Sequence, residues 1–164
     1  MPFSEQPKAG IQAVLDNIKP GKILDVGCGA GKWAAYFKEL DGLEIWEEYG
    51  VRFKLREKYH NIYYMNMLYF DGWDKYDSII MGDVLEHVTY KEAVKLLDRI
   101  QRSDLFVIIP ISHCISSAYA GNPHELHLHQ WTHEEMEALG FNLLHRGWNR
   151  KHTVEIGTYE RLLG

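Results

Sequence analysis

The segment Asp25-Val26-Gly27-Cys28-Gly29-Ala30-Gly31 sets three glycines at alternate positions directly after an apolar run. Small residues in such a place let the backbone approach a ligand closely. Two common nucleotide loops begin this way, and neither fits. The phosphate loop G-x-x-x-x-G-K-[ST] matches at Gly31-Lys32, but Val26 stands where its first glycine belongs. Trp33, which cannot ligate magnesium, stands where it needs a hydroxyl. The dinucleotide fingerprint G-x-G-x-x-G, begun at Gly27 and Gly29, fails at its third glycine, which is Lys32 here. What remains is a tight bend of small side chains with a carboxylate, Asp25, at its start.

Further along stand other groups able to do chemistry. Glu44, in GLEIWEEYG, follows Gly27 by seventeen positions, near the spacing at which nucleotide-binding α/β sites place an acid on ribose hydroxyls. A carboxylate accepts two hydrogen bonds from a cis-diol. Glu47 is the alternative if the register is shifted, and Ile45 or Trp46 offers an apolar face beside it. The segment MGDVLEHV (81–88) carries Asp83, Glu86 and His87, and His87 has two readings: a group facing a substrate, or one that orders its loop by hydrogen bonding. Cys114 has no activating partner evident in the sequence and reads as an inert thiol.

The connection from Ile111 to Trp131, ISHCISSAYAGNPHELHLHQW, is longer than the ~12–15 residues beyond which a loop in a compact domain usually has a function. It holds His113, His124, His127 and His129, with Glu125 among them and His133 just beyond. A metal site, a proton-accepting substrate pocket and a structural lid all remain open. The spacing H-x-x-H-x-H has no defined ligand geometry, and an extended chain would set His124 opposite His127 and His129, so no residue is assigned as a metal ligand. His127 or His124 suits a general base because imidazole titrates near neutrality.

These groups must be positioned by a scaffold. Ile11, Val14, Leu15 and Ile18 predict a helix over 5–18, stopped by Pro20-Gly21. Residues 22–27 read as a buried strand. Trp33, Phe37 and Leu40 predict a helix ended by Asp41-Gly42, followed by a strand over 43–46 and a helix over 48–59. Strands are expected over 62–65, 76–81 and 105–109. Thr89 with Glu92 forms a capping box opening a helix to Gln101, and Thr132 with Glu135 opens another that closes near Gly140. Two final strands, 141–149 and 151–159, complete the order. The alternation predicts an α/β fold: a doubly wound, mostly parallel seven-stranded sheet with helices on both faces and an antiparallel last strand, in one domain over residues 1–164.

Composition excludes several classes. With 46% hydrophobic and 25% charged residues the chain is neither disordered nor membrane-embedded, and no apolar run reaches the ~20 residues of a spanning helix. The N-terminus lacks the apolar centre of a signal peptide, so the expected compartment is cytoplasmic. Two cysteines, Cys28 and Cys114, encode no disulfide framework. A net charge of −5 disfavours nucleic acid, whose binding rests on clustered lysine and arginine.

The glycine bend after an acid, the element order and MGDVLEHV together resemble the class I S-adenosylmethionine-dependent methyltransferases over nearly the whole chain. The resemblance implies S-adenosylmethionine as cofactor, bound by Asp25, Gly27, Cys28, Gly29 and Gly31, with Glu44 on the ribose and Ile45 and Trp46 beside adenine. It implies Asn66 and Met67 at the adenine amino group, where aspartate is the commoner residue. It also implies Gly82, Asp83 and Val84 at the methionine moiety. Segments typical of adenine, glutamine or cytosine-carbon methylation, [ND]-P-P-[YFW] or Pro-Cys after strand four, do not occur. Expected acceptors are therefore an oxygen or nitrogen of a small molecule or protein side chain, with His127, His124 and His87 as candidate catalytic groups. Trp46, Tyr49 and Tyr119 would suit an aromatic acceptor. Some small relatives carry a similar N-P-x-E-x-H before tryptophan, matching Asn122, Pro123, Glu125, His127 and Trp131. Three rival classes remain: a non-catalytic cofactor-binding partner subunit, an NAD-type dinucleotide enzyme, and a metal-binding protein that would purify with stoichiometric zinc or iron; assembly as an oligomer also stays open.

Overall fold

A computed structural model describes residues 6–114 and 121–163. Its seven strands are β1 (Ile23–Val26), β2 (Leu40–Glu44), β3 (Ile62–Tyr64), β4 (Ser78–Gly82), β5 (Asp104–Pro110), β6 (Asn142–Trp148) and β7 (Glu155–Arg161). They form one sheet in the order β3-β2-β1-β4-β5-β7-β6, parallel except for β7, which runs antiparallel to both its neighbours. The mostly parallel, seven-stranded architecture read from the sequence is the one observed. Five α-helices among the described residues accompany it: α1 (Lys8–Asn17), α2 (Glu47–Arg52), α3 (Leu55–Lys58), α4 (Tyr90–Arg99) and α5 (His133–Ala138).

The two-residue period of a strand sorts the central side chains onto opposite faces. Leu24, Val26, Ile79, Met81, Leu105, Val107 and Ile109 point into a core covered by Ala93, Leu96 and Leu97 of α4 and Met136 of α5. Ile23, Ile80, Phe106 and Ile108 point the other way, under Ile11 and Val14 of α1 and Leu55 of α3. Burial on both faces explains why these strands read as unbroken apolar runs. Both capping boxes form: Thr89 accepts from the backbone N–H of Glu92 and Thr132 from that of Glu135, and each glutamate side chain reaches back.

Four local expectations are corrected. The helix expected from Trp33 to Leu40 is a single 3-10 turn, Trp33–Ala35, and Leu40 already belongs to β2. Asp41-Gly42, read as a helix stop, lies mid-strand, where Gly42 pairs with Asp25. A Cβ on Gly42 would stand 2.7 Å from Ile62 Cδ1, so the close approach of β3, and not a turn, accounts for this glycine. The helix expected over 48–59 is broken at Lys54, whose left-handed φ of 53° separates α2 from α3. The last two strands, expected to be separated by only Arg150 or its neighbours, are separated by residues 149–154, because the Asn149 side chain organises the turn by accepting from the N–H groups of Thr153 and Val154.

Candidate functional site

Parallel register builds the site. Val26 pairs with Leu43 on one side and Met81 on the other, so the residues that follow, Gly27, Glu44 and Gly82, stand in a row at the carboxyl ends of β1, β2 and β4. The chain winds from β1 outward to β2 and β3, then returns to β4 on the opposite side of β1. That reversal is where open α/β sheets bind ligands. A cavity of about 740 Å³ opens there, within the range of small-molecule sites.

Gly27 is fixed by two constraints. Its φ is +65°, and a Cβ would meet Val84 Cγ2 at 2.6 Å. Its N–H, like that of Cys28, donates to the Leu43 carbonyl, which ties the bend to β2. Glu44 is 4% exposed; Oε2 accepts from the Gly29 N–H and Oε1 from the Trp46 N–H, both at 2.9 Å. Burial raises its pKa, opposed by those two hydrogen bonds. Each oxygen retains a second lone pair for a ligand hydroxyl. Glu47, the alternative acid, is exposed at the start of α2.

Asp25 lines the cavity and is nearly sealed. Tyr59 Oη donates to its Oδ2 at 2.6 Å. Burial pushes its carboxyl up to about 7; Tyr59 pulls the value down, Glu44 pushes it up and Lys32 pulls it down. Burial likewise holds the Cys28 thiol protonated. For a carboxyl whose pKa is raised on folding, stability is full below the unfolded value near 4 and is lost as pH rises through about 7. Asp25→Asn removes this ionisation while keeping an acceptor for Tyr59. Between pH 4 and pH 8 the wild type should therefore lose about 3–4 kcal/mol relative to the variant. Urea unfolding at both pH values checks this; equal pH slopes would contradict it.

The opposite wall comes from the turn after β4 and the histidine-bearing connection. Asp83 has φ 53° and accepts from Gln6 Nε2 at 3.0 Å. Backbone N–H groups of Leu128 and His129 donate to the Glu86 carbonyl at 2.8 and 3.2 Å, docking the connection over this turn. Tyr49 Oη donates to Glu125 Oε1 at 2.7 Å, and Trp46 meets the His124 ring edge-on, so α2 grips the same segment from the other side. Asn122, 2% exposed, accepts from the His124 N–H. Burial lowers the pKa of His87 and of His127, keeping both imidazoles neutral.

Of the residues singled out in the sequence, Asp25, Gly27, Cys28, Gly29, Glu44, Ile45, Asn66, Met67, Gly82, Asp83, Val84, His87, His124 and His127 all line this one cavity. Gly31 instead packs against α3, where a Cβ would stand 2.9 Å from Lys58 Cδ. Trp46 supports His124 from behind. Asn66 Oδ1 already accepts from the Leu68 N–H at 2.8 Å, capping the turn Met67–Tyr69. Tyr119 lies outside the described residues. Sequence reasoning missed Gln6, Asn149 and Thr153, which reach the wall from the N-terminal segment and the β6–β7 turn. Lys32, read only as a motif mismatch, also lines the cavity, near the charges of Asp83 and Asp25.

Residues 4–134 match the family described as methyltransferase domain. The chain belongs to that family. It is a class I, S-adenosylmethionine-dependent methyltransferase. No curated protein matches the sequence. Among solved structures, the methyltransferase superposes on the PH0226 protein of Pyrococcus horikoshii OT3 with a TM-score of 0.67 at 16% identity, covering 94% of this chain and 89% of that one. The 1,6-didemethyltoxoflavin-N1-methyltransferase of Burkholderia thailandensis, solved with 1,6-didemethyltoxoflavin and S-adenosylhomocysteine, gives 0.65 at 17% identity over 98% of this chain and 79% of that one. The magnesium protoporphyrin IX methyltransferase of Synechocystis PCC 6803, solved with S-adenosylmethionine, gives 0.63 at 19% identity over 93% and 76%. At these identities the structures speak for the fold alone. No helix among the described residues of the methyltransferase is long and apolar enough to cross a membrane.

Proposed function

We propose that this methyltransferase moves the methyl group of S-adenosylmethionine to an oxygen or nitrogen of a small molecule or protein side chain, with both reactants in the cavity at the β1–β4 switch point. The observation that carries the reading is Glu44: a buried carboxylate at the end of β2, hydrogen-bonded to the glycine bend and still able to accept from a ribose diol. In this assignment Asp25, Gly27, Cys28 and Gly29 form the floor and Ile45, Asn66 and Met67 face adenine. Gly82, Asp83 and Val84 face the methionine moiety, while Gly31 and Trp46 support the loop and the lid from outside.

Methyl transfer from a sulfonium is an in-line displacement that discharges the positive sulfur. The protein chiefly aligns nucleophile, methyl carbon and sulfur and excludes water. The connection docked by Glu86, Tyr49 and Trp46 performs that exclusion. His124 and His127 line the acceptor space; His124 is the group to take a proton from a protonated nucleophile, with His127 able to do so only where its Nε2 is not otherwise engaged. Incubation with S-adenosylmethionine and a panel of hydroxyl- and amine-bearing acceptors should release S-adenosylhomocysteine in step with acceptor methylation, read by mass spectrometry. Cofactor binding without turnover on any small-molecule or protein fraction would instead support a non-catalytic subunit.

A further inference from the structure

We propose that Glu86, His87 and His127 form a binding site for a divalent first-row transition-metal ion, set in the wall of the cofactor cavity. No spacing rule joins them, since His127 stands on the connection after β5 and the other two follow β4. In the fold, one ligand atom from each lies within 4.8 Å of the other two, and all three side chains line the cavity. Metal bonds of about 2.0–2.2 Å hold ligand atoms roughly 3–3.5 Å apart, so small side-chain rotations close the set.

Two independent features point to a cation here. Glu86 is 2% exposed, and neither carboxylate oxygen has a hydrogen-bond partner among the described residues. Its nearest imidazole nitrogen, His127 Nε2, is 4.0 Å away. A buried carboxylate without hydrogen bonds or a counter-charge is costly, and a bound cation is a partner that would relieve that cost. The second feature is imidazole orientation. His87 Nδ1 lies 3.1 Å from the Leu126 carbonyl and His127 Nδ1 3.1 Å from the Cys114 carbonyl. A carbonyl can only accept, so both Nδ1 atoms carry the proton and both Nε2 atoms offer a lone pair. Backbone carbonyls fix metal-binding histidines in this way.

Two imidazoles and one carboxylate suit zinc, iron, cobalt or manganese better than calcium, and three protein ligands leave coordination positions open. Those positions face the cavity. Resting on the methyl-transfer reading, the site selects acceptors bearing a hydroxyl group. The hydroxyl oxygen binds the cation and releases its proton to water. An oxygen lone pair then forms the new C–O bond as the methyl carbon's bond to sulfur breaks, its electron pair staying on sulfur to give neutral S-adenosylhomocysteine. The cation does not change oxidation state.

The test uses the full chain stripped with chelator and titrated with cobalt(II) chloride, read by visible d–d absorption and calorimetry. S-adenosylhomocysteine is titrated into the same samples. Wild type should take up one equivalent of cobalt and gain on the order of 5 °C in Tm at saturation. Glu86→Gln and His127→Gln should each weaken cobalt binding at least tenfold while unfolding in one cooperative urea transition, which certifies their fold. His60→Ala, at an exposed position, should bind cobalt like wild type. Absence of a stoichiometric cobalt spectrum in wild type, or undiminished binding in both glutamine variants, overturns the site even if S-adenosylhomocysteine binds normally. Cobalt binding that depends on Glu86 and His127 in a protein with no affinity for S-adenosylhomocysteine supports the site and overturns the cofactor reading instead.

Discussion

Replacing Glu44 with alanine should lower the affinity for S-adenosylhomocysteine by about 100-fold or more. Hydrogen bonds to a charged group are worth roughly 1.5–3 kcal/mol each, and the proposed grip on the ribose uses two. The loss extends beyond the direct contacts. Glu44 also holds the Gly29 and Trp46 N–H groups at 2.9 Å, so its removal loosens both the glycine bend and the entry to α2. Glu44→Gln keeps the shape and one carbonyl acceptor but turns a donor toward one of these N–H groups, and should fall between wild type and alanine. Calorimetric titration of the three proteins gives the order; equal affinities would refute the ribose assignment.

The largest effect on stability is expected at Trp131. Its side chain has no exposed surface and belongs to the core beneath α4. Its ring contacts Tyr90 at the start of α4 with centroids 5.6 Å apart and His129 edge-on at 4.9 Å. Truncating a buried tryptophan costs about 3–5 kcal/mol, so Trp131→Ala should shift the urea midpoint strongly and lower Tm by roughly 10 °C for a chain of this length. The damage should spread to the site. His129 is the neighbour whose N–H docks the histidine connection on the Glu86 carbonyl, so cavity ligands should bind more weakly even at temperatures where the variant is folded. A loss below 1 kcal/mol would mean that the connection is anchored elsewhere.

The parts of this molecule that were legible in the sequence are those where a local constraint and a tertiary one coincide. The bend at Gly27 needs both a positive φ and room beside Val84, so glycine is the residue that meets both demands. Thr89 and Thr132 were readable as caps because the capping bond spans only three residues. The bounds of β2 were not readable. Trp33, Phe37 and Leu40 satisfy a helical period, and what draws Leu40 into a strand is pairing with Ile23, a tertiary contact with no local signature. The shift mattered little for function, since Glu44 moved from the second residue of the expected strand to the last residue of the observed one, at the ligand edge of the sheet. Gln6 and Asn149 enter the cavity wall through packing of segments far apart in the chain, and nothing in their own surroundings announces it. The histidine connection was visible as unusual through its length and composition. Which of its imidazoles meet Glu86 is decided by the docking of Leu128 and His129 on the Glu86 carbonyl, which no spacing rule contains.

A crystal structure of the chain with S-adenosylhomocysteine is the most direct measurement. Adenosine density is expected in the crevice beyond β1, β2 and β4, with both ribose hydroxyls within about 2.5–3.0 Å of the Glu44 carboxylate and the homocysteine sulfur facing the space lined by His124 and His127. Density at another place on the protein, or a ribose that leaves Glu44 bonded only to Gly29 and Trp46, would contradict it.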